Sequence, residues 1–306
     1  MSDWTPDIAL LRARSNEEWL RVEKTYCGRL LAYAQRRTRD LQASEDVVQE
    51  TLLGAVRGID DFDEQYSFEQ YLFGICRNRT IDHMRRKKAR TIQVDEEDEE
   101  FRGFESYAVG GETPSAIVRG RELSHRAKHL LGDMLRDWVE ETWNQGEHVR
   151  LSVIEALFSG GWRNRDTWER FGLRDETAVA GIKFRALKRL RQLSAVRESG
   201  SDLLRLLASA EENSDRLLDM DVQTIWRERR VSCPSRHWLA LLAAGNLDEG
   251  PAGFLRFHLD EMKCPWCQAN YDDVANLSER PGFDPWLEKM QETTLVFLRE
   301  PKESRD

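Results

Sequence analysis

The sequence predicts an all-α fold. Helical spacing of apolar residues recurs from one end of the 306 residues to the other, and no alternating Val, Ile and Thr run or Asn-Gly hairpin signal interrupts it. Charged residues make up 33% and hydrophobic ones 40%, including 10 Trp and 12 Phe, so the chain has apolar surface enough to offset the entropy of folding. At roughly 150 residues per domain, the length points to more than one module.

Taken in order, Ser15 followed by Glu18 is a capping-box pair that starts a long helix through Leu30, Leu31 and Ala34. A second helix is expected from Ser44 to Gly58 and a third from Phe68 to Lys88. The acidic run Asp95 to Glu100, followed by Gly103, Gly110, Gly111 and Pro114, marks a linker over 93–120. It closes a first domain at 1–92. Helical spacing resumes for a second domain at 121–197 and breaks again at Ser199-Gly200-Ser201. A helical connector over 198–232 then leads to a cysteine-bearing domain at 233–306.

Net charge is −9, yet the average conceals two basic segments. Arg77 to Arg90 holds seven basic residues against the single acid Asp82, and Lys183 to Arg191 holds five against none. Two basic helices on either side of an acidic tether are the charge pattern of two nucleic-acid contacts on separate bodies. On the helix of residues 44–58, Val48, Leu52, Ala55 and Ile59 fall on one side, and Asp46, Gln49, Glu50 and Leu53 on the other. The second set suits protein docking. In the following helix the basic residues Arg77, Arg85, Arg86 and Arg90 suit backbone phosphates, while an unstacked base calls for an aromatic wall such as Tyr71 and an amide such as Asn78. Phe62, Tyr66 and Phe68 are further candidates for walls, with a core role the better expectation for Phe68 and Leu72.

Residues 162–191 carry a helix-turn-helix pattern. A short helix ends at Phe171, Gly172 supplies a left-handed turn, Leu173 plugs the corner, and Asp175 caps a second helix. That helix buries Val179, Ile182, Ala186 and Leu190. It leaves Lys183, Arg185, Lys188 and Arg189 for phosphates, and Thr177 near base edges.

Of five cysteines, Cys27 and Cys76 sit alone in amphipathic helices and read as buried thiols. Cys264-Pro-Trp-Cys267 is a C-x-x-C knuckle that supplies two zinc ligands from one turn, and Cys233 with His258 completes a set of four. His237 is the alternative nitrogen ligand, and a metal-free helical domain or a reversible dithiol are the other readings of the same cysteines.

Two groups of these residues resemble known families. Ser44-Glu45-Asp46-Val47-Val48-Gln49-Glu50, then Tyr71-Leu72 followed by Asn78, Asp82, Arg85, Arg86 and Arg90, resemble the promoter-melting domain of bacterial RNA polymerase sigma factors of the extracytoplasmic-function group. The resemblance implies that Asp46, Gln49 and Glu50 face the polymerase, and that Asn78 and the loop from Asp60 to Phe68 capture melted bases. It also implies that the helix-turn-helix binds the minus-35 element. Tyr71 stands where that family usually has Trp. Residues 233–267 resemble the zinc-binding anti-sigma domain, whose usual spacing is H-x-x-x-C-x-x-C; here five residues separate His258 from Cys264. Together these imply a non-enzymatic initiation factor that takes core RNA polymerase and promoter DNA as partners and is regulated in cis by its tail. A separate anti-sigma factor is a further partner, and an anti-sigma-like or redox-sensing regulator of another sigma factor is the alternative function. The apolar run near Trp238 to Leu247 is about half of what a bilayer requires. Residues 1–20 carry Asp3, Asp7, Glu17 and Glu18 where a secretory signal would be basic and then apolar. A cytoplasmic location with no membrane attachment is therefore expected.

Overall fold

A computed structural model describes residues 4–90, 115–196, 215–276 and 282–299; the side chains of 88–90, 115–127, 187, 191, 194–196 and 215–221 are outside the described set. Every regular element among the described residues is helical, as expected. The acidic run Asp95 to Glu100, the break at Ser199 to Ser201 and the start of the connector lie outside the described residues. The chain forms two compact units.

The first unit comprises 1–103, 235–245 and 265–306. Its N-terminal helices are α1 (Ile8–Arg12), α2 (Asn16–Thr38), α3 (Leu41–Gly58) and α4 (Phe68–Arg90), with a single 3-10 turn at Ile59–Asp61. Ser15 caps α2 by accepting from the Glu18 N–H. Glu18 does not return the bond to Ser15; its Oε1 accepts from the Asp7 N–H at 2.7 Å, which ties the lead-in segment down. The α3 helix starts three residues before Ser44, because Asp40 accepts from the Ala43 N–H and caps it there. Val48, Leu52, Ala55 and Ile59 are buried, as the periodicity predicts.

The centre of this unit is α2. Trp19, Val22, Tyr26, Cys27, Leu30, Leu31 and Ala34 are buried, and so are Glu23 and Arg29. A helix buried on more than one side needs partners all round. Helices α3 and α4 cover one part of α2; α12 (Pro265–Ala275) and α13 (Phe283–Arg299) cover another. The short α10 (Arg236–Ala243) packs on α12. Aromatic edges lock the N-terminal part, with Trp19 against Phe68 at 6.3 Å and Tyr33 against Phe73 at 5.4 Å between ring centroids. Arg36 grips Asp272 with two hydrogen bonds, and Arg236 pairs with the buried Asp273.

The second unit comprises 104–234 and 246–264. Its helices are α5 (Ser115–Asn144), α6 (His148–Phe158), α7 (Asn164–Phe171), α8 (Glu176–Val196), α9 (Asp215–Glu228) and α11 (Glu249–Arg256), the last running into a π turn at Phe257–Glu261. Leu131, Met134, Leu135, Trp138 and Val139 form the buried stripe of α5. Helix α6 is apolar almost all round, which suits its place among α5, α7, α8, α9 and α11. Phe158 stacks on Trp226 of α9 at 6.1 Å.

The stretch 233–306, read from sequence as one domain, is divided: α11 and the π turn belong to the second unit, while α10, α12 and α13 belong to the first. The apolar sides of α12 and α13 meet α2 in place of one another.

Candidate nucleic-acid interface and metal centre

At 100° per residue, Tyr71, Asn78 and Arg85 share one stripe of α4. Asn78, Arg85, Arg86 and Lys87 are exposed and Arg77 is half-buried; the Arg90 side chain lies outside the described set. Tyr71 is half-buried, with its ring against Phe62 and Phe68 and its hydroxyl donating to the Ala55 carbonyl at 3.1 Å. Burial, then Asp61 and Asp60, pushes its phenol up to about 12, so it remains a donor. Phe62 and Phe68 are buried, which gives both a packing role, while Tyr66 is half-buried beside them. On α3, Asp46 and Glu50 are exposed and Gln49 and Leu53 half-buried. Glu50 lies 3.9 Å from Arg79, an exposed pair that contributes little.

The helix-turn-helix forms as predicted. Gly172 adopts φ 60°, and the Leu173 N–H closes the turn on the Trp168 carbonyl at 3.0 Å. Asp175 accepts from the Ala178 N–H at 2.9 Å and caps α8. Val179, Ile182, Ala186 and Leu190 are buried, whereas Leu173 is only half-buried. In the first helix of the pair Thr167 turns inward, is buried, and donates to the Arg163 carbonyl at 2.9 Å. Thr177, Arg185 and Lys188 are exposed and Lys183 half-buried. Arg189 pairs with Glu141 of α5 at 3.0 Å. A cavity of about 230 Å³ opens between α5 and α8 and is lined by Arg150, Arg185, Lys188 and Arg189 together with Trp138 and Glu141.

Cys233, His258, Cys264 and Cys267 come together, with their ligand atoms all within 4.8 Å of one another. The Cys233 and Cys264 sulfurs are 3.6 Å apart. Two thiolates on a tetrahedral zinc ion sit about 3.8 Å apart if each bond is about 2.3 Å, so the spacing suits a metal. Of the two candidate histidines, His258 lies in the cluster, whereas His237 is exposed on α10 and stands outside it. The five-residue gap between His258 and Cys264 is taken up by the π turn and by Lys263 at φ 50°. This widened backbone returns the Cys264 N–H to the His258 carbonyl at 3.3 Å.

The donor atoms fit an ion on a second count. His258 is 2% exposed, and its Nε2 is buried with no oxygen or nitrogen partner, while Nδ1 meets Glu155 Oε1 at 2.6 Å. Burial alone lowers the imidazolium; Glu155, Cys264 and Cys233 outweigh it and hold His258 well above the ordinary histidine value. Arg227 is brought down by its own burial and partly restored by Cys264, which puts a cation beside that cysteine. Glu155 and Arg227 were missed in the sequence. The one available signal was an acid inside the apolar segment Leu151 to Phe158.

Residues 24–90 match the family Sigma-70 region 2. A probable RNA polymerase sigma factor of Haemophilus influenzae is 33% identical over 70 residues, which are 23% of this chain and 36% of that protein. The chain thus matches little more than a third of the length of that relative. No solved structure matches the chain. The family match ends at Arg90, before the helix-turn-helix and the cysteine cluster. Among the described residues, no helix is long and apolar enough to cross a membrane.

Proposed function

We propose that the protein is a transcription initiation sigma factor of the extracytoplasmic-function type, which binds core RNA polymerase, recognises promoter DNA and helps open it without catalysing a reaction. The observation that carries this reading is the Sigma-70 region 2 match falling on helices that display Asp46 and Glu50 on one face and Asn78 and Arg85 on another. Asn78, Tyr71 and the basic residues of α4 would hold the melted strand, and Thr177, Lys183, Arg185, Lys188 and Arg189 of α8 the upstream duplex. The docking face is Asp46, Gln49, Glu50 and Leu53. Asp46→Ala with Gln49→Ala weakens capture of core polymerase by about tenfold, or ~1.4 kcal/mol. Pull-down with purified core enzyme measures it, and unchanged capture removes the assignment.

Regulation in cis by the C-terminal segment belongs to the same proposal. Lys289 of α13 lies near Glu45, and Arg57 stacks on Phe297 of the same helix at 4.9 Å. Glu45, Gln49, Leu53 and Arg57 are four residues apart in turn, so α13 runs beside the stripe that contains two of the docking candidates. Covering that stripe makes the tail an inhibitor. Ending the chain at residue 281 is expected to raise polymerase capture by about tenfold. Lys289→Glu, which sets like charges together, gives a smaller gain in the same direction; a loss of capture in both would make the tail an activator. The metal we assign to the cysteine cluster is zinc, bound by Cys233, His258, Cys264 and Cys267 as a closed structural site. A cytoplasmic location goes with this function.

A further inference from the structure

The cysteine cluster is supported by residues that are not among its four donors. Glu155 Oε1 meets His258 Nδ1 at 2.6 Å and also accepts from the Ser232 hydroxyl at 2.5 Å. Ser232 Oγ in turn accepts from the Trp226 indole N–H at 2.8 Å. All of these side chains are buried, Glu155 at 1% exposure and Trp226 at 1%. A carboxylate taken out of water costs several kcal/mol unless its surroundings answer it. Here it sits on α6 among residues that are otherwise almost all apolar and buried, and its other oxygen has no hydrogen-bond partner. An acid at this position is expensive for packing alone, and both bonds that it accepts lead toward the cluster.

The direction of the bonds fixes the chemistry. Trp226 is a donor only, so the Ser232 hydroxyl accepts from it and gives its own hydrogen to Glu155. A carboxylate accepts only, so the imidazole hydrogen is placed on Nδ1 and the lone pair on Nε2. Nε2 is the nitrogen left with no oxygen or nitrogen partner, and the ring otherwise meets the Cys233 and Cys264 sulfurs. That nitrogen is the atom a metal ion would take, with the Nδ1 hydrogen kept toward Glu155.

We propose that Glu155 is the positioning residue of the metal centre: it takes the Nδ1 hydrogen of His258 and aims Nε2 at the ion, while Ser232 and Trp226 hold the carboxylate in place. This rests on the reading of the cluster as a zinc site. It carries a structural consequence within the second unit, because α6 also packs against α7 and α8 of the helix-turn-helix. Metal loading is thereby tied to the helix on which the DNA-reading pair is seated.

The test uses the full chain, with Zn2+ affinity measured by competition against a chromogenic chelator and ligand-field spectra recorded with Co2+. Loss of such an outer partner weakens metal binding by about 10- to 100-fold, and that is the change expected for Glu155→Gln. Its Co2+ bands should move while the helical circular dichroism stays as in the parent, and Glu155→Asp should restore part of the affinity. Ser232→Ala keeps the carboxylate and removes one of its donors; a loss of a fewfold is expected, and this variant decides the matter if Glu155→Gln does not fold. Parental affinity and an unchanged Co2+ spectrum in Glu155→Gln, or parental affinity in Ser232→Ala when Glu155→Gln does not fold, overturn the role of Glu155. Failure of the parent chain to bind Zn2+ at all overturns the zinc reading instead, so the two failures are told apart.

Discussion

Purified with zinc in the medium, the chain is expected to hold about one ion, and Cys264→Ser with Cys267→Ser to lose it. Three thiolates and one imidazole make a closed set with no position left for a substrate, so the ion is expected to act on folding. Structural zinc contributes about 10–16 kcal/mol to small domains that depend on it. The second unit has its own apolar core around Trp138, Ile154, Phe158 and Trp226, so only part of that value is at stake here. A fall of ~5 kcal/mol in the stability of this unit is expected, read by denaturant titration of parent and variant with zinc present. Coincident unfolding curves together with a zinc-free parent would contradict the site. A zinc-bound double variant would show that the ligands are other residues.

The second large effect belongs to Glu23. It is fully buried in α2 beside Thr294 of α13, with neither carboxyl oxygen in a well-formed hydrogen bond. Burial raises its carboxyl from 4.5 to about 7, and Thr294 draws it back only slightly. The nearby Cys27 thiol is likewise pushed up, by burial first and then by Glu23 and Asp273. Because the folded state holds this proton more tightly than the unfolded one, the first unit gains stability that is complete below pH 4.5 and lost as pH rises through about 7. A tenfold change in proton affinity is worth about 1.36 kcal/mol, so the rise from 4.5 to about 7 amounts to ~3 kcal/mol. Glu23→Gln should remove the dependence and leave the variant more stable than the parent by about that amount near pH 8. Urea denaturation on both sides of neutrality measures it; parallel pH profiles for parent and variant would defeat the assignment.

What could be read in the sequence was what short-range chemistry decides. Gly172 as a left-handed turn, Asp175 as a cap and the buried stripe Val179, Ile182, Ala186 and Leu190 depend only on neighbours along the chain, and each is found in place. The same holds for the core side of α3. That Cys233, His258, Cys264 and Cys267 come together was legible because a C-x-x-C knuckle restricts its partners to the few other Cys and His residues nearby. How the chain takes up the five residues between His258 and Cys264 was not, since it depends on a π turn that no periodicity announces. Nor was the division of the C-terminal segment, because an apolar face on α12 or α13 fits any apolar groove and does not state which helix it will meet. Tyr71 shows the same ambiguity on a smaller scale: an aromatic beside a basic helix suits a base, and here its hydroxyl goes to the Ala55 carbonyl.

The central position of α2 has a bearing on how the protein is made. Its ion pair with Asp272 joins residues 236 positions apart, and the side chains of Met290 and Leu298 that belong to the same apolar cluster are translated later still. Much of the first unit therefore waits, incompletely covered, until the ribosome has passed these positions, at about 5–20 residues per second. Closing such distant contacts is slow, and apolar surface exposed meanwhile invites self-association. Newly synthesised chains of this protein should accordingly lean on holding chaperones more heavily than a helical protein of its size with contacts between neighbours.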